Sequence, residues 1–502
     1  MASRSYKEAI DCLNSLQSNA AHIEALRAAG NRNTEIAIAE MVDYLERIGY
    51  KQEDLNRLNV IHVTGTKGKG STCAFTDSIL RHARPNLTTG LYTSPHLVAV
   101  RERIRINGAP ISEDNFAKFF FEVWDRLDAN AQTKFPESAP KPMYFKFMTI
   151  VAYHAFLSLN VDATILEVGV GGRFDSTNIV PKPVVTGISA LGIDHVTVLG
   201  KTIPEIAWQK AGIYKEGVPA LTVNQPQDGL EVLEQEAKKV KASEFVITSS
   251  IPDLASVKLG LPGIHQVQNA KLAVALSQKF LEHYDGETPS TTLPESFIEG
   301  LKNTKWPGRC QTVSDPRHTS TTWFLDGAHT VESLDCCMQW FASSDAALRP
   351  AAISERPERV LIFNCTHGRS GQRFLGTMMA KAAEQLQLHG SQEDAPKLFD
   401  HVIFCANVTY ADGHFKGDLT AVSIPEDELK HLTVQHELAD AWRALAPEFP
   451  SENIHVLPSI EHAIRIVSNT EEKGKRVDVL VTGSLHLVGG VIEVADLSEV
   501  AL

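Results

Sequence analysis

Apolar positions recur along this chain at two spacings, and the way the two alternate is its first structural signal. Short apolar runs at residues 59–63, 90–93, 163–168, 184–189 and 219–223 read as strands. Between several of them the spacing turns helical, over 71–82, 115–129, 147–159 and 203–214. Residues 6–48 also read as helices, through Ile10, Leu13 and Leu16 and then Ile36, Met41, Leu45 and Ile48. Strand and helix in alternation predict an α/β protein with a mainly parallel sheet covered on both faces. The run RERIRINGAPI (101–111) alternates charged and apolar residues and predicts an exposed hairpin or loop beside that sheet.

The pattern stops at KNTKWPGR (302–309), where a helix gives way to Pro and Gly, and then restarts. Strands are expected at 322–325, 359–363, 401–405, 454–457 and 478–481, with helices between them. Two domains follow, 1–305 and a smaller, Rossmann-like α/β domain at 306–502. A length of 502 residues agrees, being too long for one core. The polar, Pro-containing stretches 349–357 and 390–396 read as loops.

Charge and composition narrow the function. The formal net charge of −13 lacks the basic surplus of a phosphate-neutralising nucleic-acid binder, so no nucleic-acid partner is expected. No apolar run is long enough for a transmembrane helix; the best, 147–159, is short and carries Tyr153 and His154. The N-terminal MASRSYKEAIDCL reads as neither a signal nor a transit peptide. The seven cysteines form no C-x-x-C pair, and adjacent Cys336 and Cys337 suit a disulfide poorly. Reduced thiols point to the cytoplasm, with the mitochondrial matrix as the alternative.

The chemistry begins at GTKGKGST (65–72), between the first strand and its helix. Glycines there let backbone N–H groups approach a phosphate, and the following helix offers its N-terminus to the same anion. Gly68, Lys69, Gly70 and Ser71 are the candidate nucleotide-binding residues, with Lys69 as a point charge on the phosphates. The order Lys69-Gly70-Ser71 departs from the usual Gly-Lys-Ser/Thr of a P-loop. Glu167 ends the run TILE, where a carboxylate faces the ligand crevice of an open α/β sheet.

That departure, with six further segments in chain order, carries a resemblance. The segments are LYTSPHLVAVRERIRING (91–108), TILEVGVGGRFDSTN (164–178), ALGIDHVTVLGKTIPEIAWQKAGIYK (190–215), WPGR (306–309), LDGAHT (325–330) and VTGSLHLVGG (481–490). Together they are similar to the folylpolyglutamate synthases of the Mur ligase superfamily, and to the eukaryotic branch in Lys67 and in YFKFMT (144–149). The resemblance implies a P-loop-containing ATPase domain and a C-terminal glutamate-ligase domain. It implies ATP-dependent addition of L-glutamate to the γ-carboxylate of a folate through an acyl phosphate. Dihydrofolate synthase, with dihydropteroate as acceptor, is the near alternative; a P-loop NTPase without ligase activity is the remote one.

The same resemblance assigns roles. Ser94 and Glu167 would bind magnesium, and His195 a second magnesium ion. Lys210, of the KAGI motif, would be carbamylated. Asn269 would read the adenine edge, and Arg309 and Asp326 would contact ATP. His329 and Ser484 would meet the incoming glutamate. A monovalent cation such as potassium and a monomeric state complete the expectation. The loop Cys365-Thr366-His367-Gly368-Arg369-Ser370 lacks the acidic residue that relatives often carry.

Overall fold

The computed structural model describes residues 4–17, 36–248, 251–286, 292–349, 356–365, 370–391, 393–412, 418, 426–472 and 474–502. The expected helical stretch at 18–35 and loop residues 366–369 lie outside them. The chain divides into two compact units. The first holds Met1–His96, Arg101–Gly260 and Gln266–Lys305; the second holds Leu97–Val100, Leu261–His265 and Trp306–Leu502.

The first unit is built on an eight-stranded sheet in the order β4-β3-β2-β5-β1-β6-β7-β8. Its strands are β1 (Val60–Thr64), β2 (Thr89–Tyr92), β3 (Ile104–Ile106), β4 (Ala109–Pro110), β5 (Ala163–Glu167), β6 (Val185–Ile188), β7 (Ala220–Thr222) and β8 (Phe245–Ile247). β1 is buried along its whole length, as a central parallel strand must be. It runs parallel to β5 on one side and β6 on the other, with Val63 opposite Glu167. The segments leaving the C-terminal ends of β1, β5 and β6 therefore lie side by side. That is the crevice where open α/β sheets bind their ligands.

The hairpin expected at 101–111 exists, but its burial corrects the sequence reading. β3 pairs antiparallel with β2, and β4 with β3. Glu102, Arg103, Ile104 and Arg105 are buried. Their charges are accommodated by polar partners: Arg103 Nε donates to His96 Nδ1 at 2.9 Å and Arg105 Nη1 to the Gly108 carbonyl at 3.1 Å. Alternation alone cannot separate a solvated charged strand from one whose charges are paired inside.

The second unit carries a six-stranded sheet in the order β13-β12-β11-β14-β10-β9. The strands are β9 (Gln311–Ser314), β10 (Thr321–Leu325), β11 (Glu358–Phe363), β12 (His401–Cys405), β13 (Ile454–Leu457) and β14 (Val477–Thr482). All neighbours are parallel except β9, which lies antiparallel on β10. Its two faces pack separate apolar clusters, one around Phe324, Phe341 and Trp442, the other around Trp323, Val479 and Leu487. Among the described residues no helix is long and apolar enough to cross a membrane.

Candidate active site

The loop after β1 is held in an open curve from outside. The N–H groups of Thr66 and Lys67 both donate to the Ala190 carbonyl, at 2.9 and 3.1 Å. The Ser189 hydroxyl donates to the Lys67 carbonyl at 2.7 Å. Gly65 leaves no room for a side chain, since a Cβ there would sit 1.9 Å from Ser189 Oγ. Gly68 takes the left-handed conformation, φ 85°, and a Cβ there would lie 2.0 Å from Asn269 Oδ1.

Gly68 is the N-cap of the helix Lys69–Ala83, and no side chain caps it. Its carbonyl accepts the Thr72 N–H at 2.8 Å, as in a regular first turn. The N–H groups of Lys69, Gly70 and Ser71 thus have no acceptor within the helix. Uncapped donors and the helix dipole together favour negative charge at this end of the helix.

Positive charge is concentrated around this turn. Lys67 Nζ pairs with Asp194 Oδ2 at 3.4 Å, whereas Lys69 makes no ion pair among the described residues. Lys210 is 2 % exposed, and its Nζ donates to the Gly65 carbonyl at 2.7 Å. Burial, reinforced by the Lys69 charge, holds its pKa well below the ordinary lysine value. His195 has φ 50° and caps the short helix Val196–Leu199. Burial lowers its pKa, and the Lys69 and Lys210 charges add to the effect against the opposing pull of Asp194.

Glu167 ends β5 with 4 % exposure, and its Oε2 accepts the Ser94 N–H at 3.1 Å. The residues after it close a second tight loop. The Thr64 hydroxyl donates to the Gly171 carbonyl at 2.6 Å. A Cβ on Gly172 would lie 2.9 Å from the Lys210 carbonyl, and one on Gly212 would lie 2.3 Å from Arg173 Cα. The glycines of VGVGG and KAGI thus let the Glu167 loop and the Lys210 helix, Ile203–Ala211, pack backbone against backbone. Asp175 secures the loop by accepting the N–H groups of Val170 and Thr177, each at 3.0 Å.

Asn269, expected at the adenine edge, lies against Gly68 and donates to Gln266 Oε1 at 2.9 Å. Gln266, in turn, reaches Ser71 Oγ at 3.3 Å. The sequence reading passed over Gln266, although residues three apart on a helix share a face.

In the second unit, Asp326 leaves the C-terminal end of β10 and stands 7 % exposed. Its Oδ2 accepts the Cys310 N–H at 2.8 Å and its Oδ1 the Ala328 N–H at 2.9 Å. The Gly327 N–H donates to the Gly308 carbonyl at 3.0 Å, and Arg309 Nη1 lies 2.9 Å from where a Gly327 Cβ would stand. WPGR and LDGAHT therefore form one joined loop pair. The half-buried His329 Nδ1 is 3.1 Å from the Gly327 carbonyl. Ser484 caps the helix Leu485–Val494 by accepting the His486 N–H at 3.2 Å.

The resemblance implies magnesium. Among the described residues no three His, Cys, Asp or Glu side chains converge as a metal cage. Magnesium seldom needs one, since it keeps waters and completes its shell with phosphate oxygens and one or two carboxylates. A buried carboxylate beside a serine, next to an uncapped phosphate turn, fits that habit.

A glycine-curved loop at an uncapped helix N-terminus, a buried carboxylate at the next strand end and a second, mainly parallel α/β unit are features of a nucleotide-binding α/β protein. Comparison with known proteins narrows the class. The chain is 42% identical to a folylpolyglutamate synthase of Saccharomyces cerevisiae (strain FostersO), over all of this chain and 88% of the relative. It therefore belongs to the folylpolyglutamate synthase family. Among solved structures, the folylpolyglutamate synthase of Mycobacterium tuberculosis complexed with ADP and AMPPCP superposes with a TM-score of 0.65 at 23% identity, covering 94% of this chain and 97% of that one. The Thermotoga maritima folylpolyglutamate synthase gives a TM-score of 0.63 at 25% identity, covering 95% and 97%. No family model matches the chain.

Proposed function

We propose that this chain joins L-glutamate to the γ-carboxylate of a folate, with ATP converted to ADP and phosphate. The observation that carries the proposal is the coincidence of an intact phosphate turn at 65–72 with 42% identity to a folylpolyglutamate synthase along the whole chain.

A carboxylate is a poor electrophile, and phosphorylation makes it a good one. A γ-carboxylate oxygen of the folate attacks the γ-phosphorus of ATP, and the bond to the bridging oxygen breaks to release ADP. The amine of glutamate then attacks the acyl carbon. The carbon–oxygen bond to phosphate breaks, the nitrogen loses a proton, and an amide remains. Positioning and charge neutralisation are what the protein supplies. The first-turn N–H groups and Lys69 hold the phosphates and take up the charge that moves onto ADP. The resemblance gives Arg309 and Asp326 a role toward ATP, and His329 and Ser484 one toward glutamate.

Ser94 and Glu167 would hold one magnesium ion and His195 a second. The ions would neutralise phosphate charge in an otherwise acidic chain. Nitrogen is the less usual partner for this metal, so Glu167 is the primary anchor. A potassium requirement fits the same polyanionic chemistry.

Lys210 suits carbamylation. A neutral amine attacks carbon dioxide, forming an N–C bond and losing one proton. The resulting carbamate keeps an N–H for the Gly65 carbonyl and gains neighbouring cations. Seven free cysteines, five of them buried, support a reducing compartment, the cytosol or the mitochondrial matrix. The working unit is taken to be a monomer.

Offering labelled glutamate with tetrahydrofolate or with dihydropteroate tests the assignment. Label should enter tetrahydrofolate and extend it. Label entering dihydropteroate alone would replace the proposal with dihydrofolate synthase.

A further inference from the structure

The helix His265–Asp285 brings two amide side chains to the phosphate turn, and nothing in the chemistry above uses the first of them. Gln266 is 1 % exposed and Asn269 4 % exposed. The Asn269 amide nitrogen donates to Gln266 Oε1 at 2.9 Å, and Gln266 Nε2 donates to Ser71 Oγ at 3.3 Å. The other end of Asn269 fills the space a Gly68 side chain would need. The two amides therefore touch the turn at both ends, at its left-handed glycine and at its serine.

This chain of donors has one direction. Gln266 Oε1 is engaged by an amide N–H, so its nitrogen faces Ser71. Ser71 Oγ must accept that bond, and its own proton is turned away from Gln266. A serine free to rotate would spend part of its time donating backwards. A serine that accepts from behind keeps its proton and its second lone pair for what lies in front. Ser71 is also 4 % exposed, so little water competes for the bond.

We infer that Gln266 is a positioning residue for the nucleotide, acting through Ser71, with Asn269 fixing its amide orientation. The inference rests on the ATP-binding reading of the 65–72 turn and adds a residue to it. Its energetic content is preorganisation: the hydroxyl is aimed before ATP arrives, so little rotational entropy is lost on binding.

A double-mutant cycle isolates this role. Gln266→Met keeps the length of the side chain and removes the donor. AMPPCP affinity by calorimetry, and KM for ATP against kcat, are measured for wild type, Gln266→Met, Ser71→Ala and the double variant. Gln266→Met should weaken AMPPCP binding by about tenfold, raise the KM for ATP and leave the KM for folate unchanged. In the Ser71→Ala background the same change should cost less than about twofold. Equal losses in both backgrounds would overturn the inference, because Gln266 would then act on the fold or the loop and not through Ser71. Should Gln266→Met fail to fold, Gln266→Ala completes the same cycle, with the same two outcomes. If wild-type protein itself fails to bind AMPPCP, the nucleotide reading falls, and the inference with it.

Discussion

Lys210 Nζ donates to the carbonyl of Gly65 at 2.7 Å, across 145 residues of sequence. The bond ties the helix of the KAGI motif to the first residue of the phosphate turn. It also takes a lysine out of water and sets it near Lys69, whose charge further disfavours protonation. An amine so placed gives up its proton more readily than an exposed lysine does.

The carbamate proposal follows from that placement. Wild-type protein equilibrated with carbon dioxide at mildly alkaline pH should gain the mass of one CO2 in native mass spectrometry. The gain should vanish in Lys210→Arg, because arginine stays protonated and cannot form it. An unmodified wild type, fully active in CO2-free buffer, would rule the modification out.

Gly68 offers a steric test of the phosphate turn. Gly68→Ala forces a Cβ to within 2.0 Å of Asn269 Oδ1 at a φ of 85°. The left-handed backbone alone costs about 1–2 kcal/mol for an L-residue, so AMPPCP binding should weaken by about tenfold or more. Calorimetric titration measures this, and unchanged affinity would mean that the turn does not approach the nucleotide.

His62 makes the fold acid-sensitive. It lies in β1, and burial lowers its pKa from 6.5 to about 3. Nε2 meets Thr177 Oγ1 at 3.0 Å, while among the described residues Nδ1 has no partner to stabilise a proton. The depressed pKa fixes the sign: the unfolded chain binds a proton that the folded chain refuses. The penalty is absent above the unfolded pKa and grows as pH falls below it. From about pH 7 to about pH 5 wild type should lose about 2 kcal/mol more stability than His62→Gln, measured by urea unfolding. Parallel pH profiles for the two proteins would contradict this.

Much of this architecture is legible in the residues themselves. The phosphate turn shows because glycine, lysine and strand–loop–helix order are local features, and β1 and the helix Lys69–Ala83 flank it as expected. The ten expected strands are all present, with ends shifted by a residue or so. Two short strands, β8 and β9, were not foreseen; each is only three or four residues long and partly exposed, so neither shows a clear apolar run. The burial of Arg103 and Arg105 departs from the exposed hairpin that the alternation predicts, since whether a charge has a partner is a tertiary fact. For Gln266 the sequence shows only a shared helix face with Asn269; its bond to Ser71, 195 residues away, is a tertiary fact of the same kind. The glycines of KAGI and VGVGG could be recognised as a pattern. Their reason, two backbones in contact, appears only when the two segments are folded together.

On the proposed function, the 65–72 turn holds the triphosphate whose cleavage drives amide formation. ATP-dependent transfer of labelled glutamate to tetrahydrofolate, compared between wild type and Lys69→Ala, tests it most directly. Wild type should form one amide for each ADP released. Lys69→Ala should form none while keeping the wild-type unfolding midpoint. A folded Lys69→Ala protein that still incorporates glutamate at a near-normal rate would mean that this turn does not hold the triphosphate.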